Sequence, residues 1–278
     1  MNAPRTILVT GCSSGIGHHA AHALAARGWQ VIATCRREAD CARLREEGLE
    51  SLVLDYQDEA SIDRAFEAAM ARTGGRLDAL FNNGAFAQPG AVEDLPTDAL
   101  RAIFEANFFG WHALTRRALP VMRAQGHGRI LQNSSVLGFV ALRMRGAYIS
   151  TKFALEGYTD TLRLELRGTG IHAILLEPGP VRSRIRENAR AHYERWIDRD
   201  ASVWAGFYRA ELEPRLYAED PAPDAFELGC EATTRAVIRA LESRRPRLRY
   251  RVTTPTHAME AARRMLPGRW RDALLIRG

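Results

Sequence analysis

The chain has 278 residues, 46% of them hydrophobic, enough to bury one large core. Its net charge of +6 comes from 39 basic residues spread among 33 acids, with no nucleic-acid-reading motif, which argues against a DNA or RNA partner. No apolar run reaches the roughly 18 residues of a membrane span, no signal-peptide stretch opens the chain, and Cys12, Cys35, Cys41 and Cys230 show no paired spacing; a reduced, cytoplasmic protein is expected.

In chain order, residues 6–10 (Thr-Ile-Leu-Val-Thr) read as a short buried strand that runs into a glycine turn and a helix over 16–27. A second strand is expected at 30–35 with a charged helix over 39–47, and a third at 50–54 with a helix over 58–72. A fourth strand at 77–81 ends in Asn82-Asn83-Gly84, and a long helix over 97–123 follows. Strands at 129–133 and 171–176 flank a helix over 146–168. Strands alternating with helices predict a parallel sheet covered on both faces, with ligands at the carboxyl ends of its strands.

After Pro178 the rhythm changes. Residues 182–222 are rich in Arg, Glu and aromatics (Tyr193, Trp196, Trp204, Phe207, Tyr208, Tyr217) and are read as a mobile lid over an apolar substrate rather than as core. A helix over 224–242 and a strand at 248–252 follow, then a helical tail over 255–278. The tail has an apolar side and several arginines, but Pro267-Gly268 breaks it, so packing on the core or on a partner subunit is expected rather than membrane association. The whole is read as one domain, 1–278.

Residues 10–17 (Thr-Gly-Cys-Ser-Ser-Gly-Ile-Gly) lie between the first strand and its helix. Gly11, Gly15 and Gly17 allow a tight turn and close approach of a pyrophosphate, whose charge meets the N–H groups at the helix start. Ser13, Ser14 and Ile16 complete that cradle. At the end of the second strand the chain reads Thr34-Cys35-Arg36-Arg37, with no acid before Glu38. An arginine there suits the 2′-phosphate of NADP(H), where an acid would suit the ribose hydroxyls of NAD.

Of the basic residues only Lys152 is a lysine, and it stands four residues after Tyr148, on the same helical face. In a chain that otherwise uses arginine, this position calls for a compact ammonium. A cation there would lower the tyrosine pKa and make the phenol an acid/base near neutral pH. His18 and His22 also share a helical face, but neighbouring sequence offers no carboxylate or cysteine to complete a metal site; they are read as half-exposed helix surface, and no metal is expected.

Taken together, residues 10–17, Asp55, Asn82-Asn83-Gly84-Ala85, Asn107, Ser134-Ser135, Tyr148-x-x-x-Lys152 and Pro178-Gly179-Pro180-Val181 resemble the short-chain dehydrogenase/reductase family. The glycine loop and the Cys35-Arg36 strand end look most like its 17β-hydroxysteroid and retinol dehydrogenase branch. The chain departs from the family pattern in having Gly84-Ala85 where Ala-Gly is usual, and Ser183 where a threonine is usual. The resemblance implies a single Rossmann-type, doubly wound α/β domain with a seven-stranded parallel sheet flanked by helices. It also implies roles: Ser135 would bond the substrate carbonyl, Tyr148 would transfer the proton, and Lys152 would hold the nicotinamide ribose. Asn107 would interrupt its helix and hold a water. Asp55 would meet the adenine amino group, while Asn82, Gly84, Pro178, Gly179, Val181 and Ser183 would line the cofactor, with Arg36 and Arg37 on the 2′-phosphate.

These expectations lead to an NADP(H)-dependent oxidoreductase for a bulky apolar carbonyl or alcohol. A small aldehyde or ketone reductase with the same four residues is the alternative, and a non-catalytic NADPH-sensing regulator is a third reading. A homodimer or homotetramer, packed through the helices over 97–123 and 146–168, is implied by the resemblance.

Overall fold

Every inner strand carries apolar residues on both faces, and the structure, a computed structural model describing residues 3–219 and 222–276, buries both. Strands β1 (Thr6–Val9), β2 (Gln30–Cys35), β3 (Glu50–Val53), β4 (Ala79–Asn82), β5 (Gly128–Asn133), β6 (Ile171–Glu177) and β7 (Arg249–Arg251) form one sheet. Their order is β3-β2-β1-β4-β5-β6-β7, and every pairing is parallel. The parallel sheet is as the strand–helix alternation predicts, and its doubly wound, seven-stranded order is the one the family resemblance implies.

The connecting helices are α1 (Gly15–Ala25), α2 (Glu38–Glu46), α3 (Glu59–Thr73), α4 (Thr97–Phe104), α5 (Gly110–Gln125) and α6 (Gly146–Glu165), then α7 (Ile185–Trp196), α8 (Ala205–Phe207), α9 (Glu213–Tyr217), α10 (Cys230–Glu242), α11 (Thr254–Met265) and α12 (Gly268–Ile276). Because strand side chains alternate, Ile7, Val9, Ala33 and Phe81 pack with Leu24 of α1 and Val237 of α10. Leu8, Ile32, Leu80 and Ile130 point the other way, against Ile62 of α3, Leu114 of α5 and Leu155 of α6.

Three elements differ from the sequence expectation. The helix expected over 97–123 is α4 and α5 joined by a π-helical turn, Glu105–Phe109. The helix expected from 224 begins only at Cys230, because Asp224 is held by Arg186 (2.9 Å) and Arg215 (2.5 Å) and Phe226 takes a left-handed φ of 60°. Within 182–222, of which 220–221 lie outside the described residues, Tyr193 and Tyr208 are core: they are buried with Ala189, Leu212 and Leu216 against Ala91 and Met144. The Tyr208 hydroxyl donates to Asp94 (2.5 Å) and accepts from the Ala91 N–H (2.8 Å).

The tail bends at Pro267-Gly268 as expected; its residues 277–278 lie outside the described ones. Among the described residues no helix is long and apolar enough to cross a membrane. From β1 the chain winds outward through β2 and β3, then returns to lay β4 on β1's other side. Such a reversal opens a crevice at the carboxyl ends of the strands, and a cavity of about 1270 Å³ lies there.

Candidate active site

The glycine loop leaves β1 and enters α1 at the floor of this cavity. Gly11 and Gly15 have φ of 66° and 62°, a region that side chains resist. A Cβ on Gly11 would also meet Gly84 Cα at 2.5 Å, so the swapped Gly84-Ala85 pair keeps its glycine where β1 and β4 ends touch. Gly17 does not line the cavity; a Cβ there would strike Gly11 O and Asn83 Nδ2, so its part is to let α1 close on the turn. The loop is tied from beneath: Asn83 Nδ2 donates to Thr10 O (2.9 Å), and the Asn83 and Gly84 N–H groups donate to Thr10 Oγ1 (2.8 and 3.1 Å). Ser14 occupies the N-cap of α1 without a side-chain cap bond, and Ser13, Ser14, Gly15 and Ile16 face the cavity. The free N–H groups of an eleven-residue helix are thus presented to an anion.

Arg36 and Arg37 leave β2 at the same cavity and are exposed. Arg37 is engaged by Asp40 at 2.9 Å, while Arg36 forms no ion pair among the described residues. Asp55 follows β3; its Oδ1 accepts from Gln57 N (3.0 Å), and α3 is capped instead by Asp58, which accepts from Ala60 N. The Asp55 carboxylate is therefore not consumed as a cap and lines the cavity. Asn82 departs from expectation. It is fully buried, takes the Tyr56 hydroxyl at 2.7 Å and donates to Gln132 (3.0 Å) and Thr115 (3.2 Å), so it braces the sheet while Asn83 faces the cavity.

On the opposite wall Pro178, Gly179, Val181 and Ser183 follow β6. Pro178 O accepts from Val136 N (2.8 Å), and a Cβ on Gly179 would run into Thr253 and, at 2.6 Å, Thr256 Oγ1 at the start of α11. Ser183 sits over Gly15, within 3.3 Å of where a Cβ would be.

Ser135, Tyr148 and Lys152 meet at the centre. Ser135 caps a short 3-10 turn, accepting from Leu137 N at 3.1 Å. Tyr148 and Lys152 lie one turn apart on α6 and are buried. Lys152 Nζ donates to Asn133 O at 2.8 Å and lies 4.4 Å above the Trp111 ring, whose own Nε1 donates to Gly84 O at 2.8 Å. Burial pushes the Tyr148 phenol up to about 12, with the Ser135 hydroxyl pulling the other way. Burial lowers Lys152 to about 7, opposed by the Glu156 carboxylate one turn further along α6. The Tyr148 pKa is thus raised where a neighbouring cation is expected to lower it: burial is the largest cause at Tyr148, as it is for the lowering at Lys152.

Asn107 does interrupt its helix, at the π turn. Its side chain is not free to hold a water, however. It accepts from Phe86 N (3.1 Å) and donates to Phe86 O (2.9 Å), and is fully buried. The π turn therefore clamps the segment after β4 that carries Phe86 to the cavity wall.

The far end of the cavity is more polar than the aromatic-rich sequence suggests. Phe86, Met144, Phe207 and Leu212 share it with Arg145, Arg186, Arg190 and Arg215. Arg186 and Arg215 share Asp224, and Arg190 bonds the Leu216 and Ala218 carbonyls (2.7 and 2.8 Å). Arg145, three residues before Tyr148, has no hydrogen bond or ion pair from its side chain among the described residues, and burial and the neighbouring arginines lower its pKa. Trp111, Glu156 and Arg145 carry no motif, and only the folded chain brings them to this place.

These features fit a dinucleotide. Two left-handed glycines and a helix start without a side-chain cap form an anion cradle, an arginine with no ion pair among the described residues stands at the β2 end, and the cavity runs from there to Tyr148.

Residues 5–194 match the family described as short chain dehydrogenase. The chain is similar to the uncharacterized oxidoreductase YbbO of Escherichia coli (strain K12), with 38% identity over 272 residues, 98% of this chain and 94% of that protein. It is 33% identical over 260 residues to 17-beta-hydroxysteroid dehydrogenase type 1 of Homo sapiens, covering 89% of this chain and 77% of that one. A solved short-chain dehydrogenase from Streptomyces avermitilis matches with a TM-score of 0.78 and 29% identity, over 94% of this chain and 92% of that one.

Proposed function

The chain belongs to the short-chain dehydrogenase family, and from that premise we propose that it is an NADP(H)-dependent oxidoreductase interconverting a carbonyl and an alcohol. The observation that carries this reading is the meeting of Ser135, Tyr148 and Lys152 on the wall of a cavity that begins at the glycine loop. When bound, the dinucleotide supplies or accepts the hydride. Tyr148, protonated at neutral pH, gives its hydroxyl proton to the substrate oxygen in reduction and recovers it in oxidation. Ser135 donates to the same oxygen as charge develops on it. Lys152, poised near 7, holds the ribose hydroxyls and can take or release a proton behind the tyrosine. Asn107 positions Phe86.

Gly11, Ser13, Ser14, Gly15 and Ile16 hold the pyrophosphate in this reading, Asp55 faces the adenine, and Arg36 takes the 2′-phosphate with Arg37 beside it. Gly84, Pro178, Gly179, Val181 and Ser183 line the nicotinamide half. The chain is read as one domain in which residues 182–222 close over the substrate. Phe86, Met144, Phe207 and Leu212 at the cavity's far wall favour an apolar substrate body, with an acidic group towards Arg145. Similarity to a steroid dehydrogenase is in keeping with the apolar body. Exposed Phe109, Phe153 and Leu164 on or beside α5 and α6 support a homodimer or homotetramer through those helices.

The test is a panel of bulky carbonyls, with and without a carboxylate, run with NADPH and NADH. We expect NADPH to be preferred and Arg36→Asp to reverse the preference at least about tenfold. Tyr148→Phe should still bind NADPH but lose turnover. Equal use of NADH by the native chain would remove the 2′-phosphate role of Arg36, and full activity of Tyr148→Phe would remove the proton-transfer role. Binding of NADPH without absorbance loss on any carbonyl would favour the sensor.

A further inference from the structure

Away from the cavity, the densest set of ligand atoms lies where α1 meets the end of α2. His18 and His22 sit one turn apart on α1, with ring centroids 4.6 Å apart and planes tilted by 57°. Each directs Nε2 at the same atom, Oε2 of Glu47, at 2.7 Å. Glu47 is the residue after α2, so the carboxylate comes from a separate element 29 and 25 residues further along the chain. The three ligand atoms lie within 4.8 Å of one another, and no other trio of His, Cys, Asp or Glu among the described residues does so.

We propose that His18, His22 and Glu47 form a binding site for a divalent transition-metal ion of the zinc type, with water completing its coordination. Two imidazoles and one carboxylate are a ligand set suited to a borderline ion, which holds such nitrogens and oxygens at roughly 2.0–2.2 Å. Tetrahedral bonds of that length separate neighbouring ligand atoms by roughly 3.3–3.6 Å. The 2.7 Å contacts need to open by about 0.6–0.9 Å to admit the ion, a movement open to side chains that are all partly exposed.

The carboxylate is already oriented by bonds that leave Oε2 to the metal. Arg43 Nη1 donates to the other oxygen, Oε1, at 3.0 Å, and Arg43 Nη2 donates to Ser13 O at 2.6 Å. Outer bonds of this kind fix ligand geometry in metal sites. They also connect the site to the glycine loop, so an ion here would pin α1, α2 and the loop together.

The experiment titrates zinc sulfate into the full, untagged chain at neutral pH in a non-chelating buffer, followed by calorimetry and by melting temperature. Cobalt chloride serves as a spectroscopic probe. We expect one equivalent to bind and to raise the melting temperature, since only the folded chain assembles the ligands. Cobalt should give visible bands of a low-coordinate site. His22→Gln and Glu47→Gln should each weaken zinc binding by at least about tenfold and abolish the melting shift. Zinc binding as tight in both variants as in the native chain would place the ion elsewhere and overturn the proposal, as would the absence of saturable binding by the native chain. Should one variant melt early without metal, His18→Gln is read by the cobalt spectrum instead, and an unchanged spectrum would overturn the site.

Discussion

At Lys152 volume decides as much as charge. Its ammonium fits between the Asn133 carbonyl and the face of Trp111, both already fixed by their own bonds. A guanidinium is broader and planar, and would have to displace one of them. We expect Lys152→Arg to keep the fold but to lose about 100-fold or more in kcat/KM, the range for a displaced acid/base partner; native turnover would show that any cation serves there. The same side chain gives a pH signature. Lys152 ionises near 7 in the folded chain and near 10.5 when unfolded, so between those values the unfolded chain binds the extra proton. Its contribution to stability is therefore full above about 10.5, declines as pH falls, and is gone near 7. Urea unfolding of Lys152→Met should lack that part of the rise in stability with pH; a slope equal to the native one would assign the titration to another group.

At the scale of elements, the glycine loop works by close approach. Gly17 abuts Gly11 O and Asn83 Nδ2 closely enough that Gly17→Ala should lower stability by about 1–3 kcal/mol, measurable as an earlier urea midpoint, and weaken dinucleotide binding because the cradle shifts. An unaltered midpoint would mean that the turn yields freely. Elements of this kind are readable because local rules produce them: the short apolar run in 30–35 is β2 with the same limits, and the glycine spacing is the turn before α1. Less was readable where distant partners decide. Asn82 and Asn83 are adjacent amides, and only the packing of Tyr56, Thr115 and Gln132 determines which faces inward. Asp224 looked like a helix start, but arginines from α7 and α9 claim it. The pKa directions at Tyr148 and Lys152 followed burial, which spacing on a helix cannot express. Glu47 reaches the two histidines only through the fold.

For the molecule as a whole, the sheet buries apolar clusters on its two faces, while the 182–219 region packs a smaller apolar cluster against Ala91 and Met144 and adds polar ties. Asp224 is one of these ties, joining Arg186 of α7 to Arg215 of α9. Asp224→Asn should loosen α7 and α9 without touching the strands. Hydrogen exchange should quicken in the peptides over 185–217 by about tenfold and stay unchanged in β1, β4 and β5, and KM should rise more than kcat falls. Uniformly faster exchange would instead indicate that this region and the sheet unfold as one unit. The tail is coupled differently, through Thr253 and Thr256 seated on Gly179, so a change in α11 would be felt at the loop after β6.

The π turn at Glu105–Phe109 also sets which lengths of chain this architecture tolerates. A wide turn of this sort accommodates one residue more than a regular helix would over the same path. Removing one residue there would let the helix run unbroken over the same path, leaving Trp111 and Leu114 in place but taking away the turn that holds Asn107 on Phe86. Length variation among such chains should therefore avoid this stretch, however freely residues exchange within it.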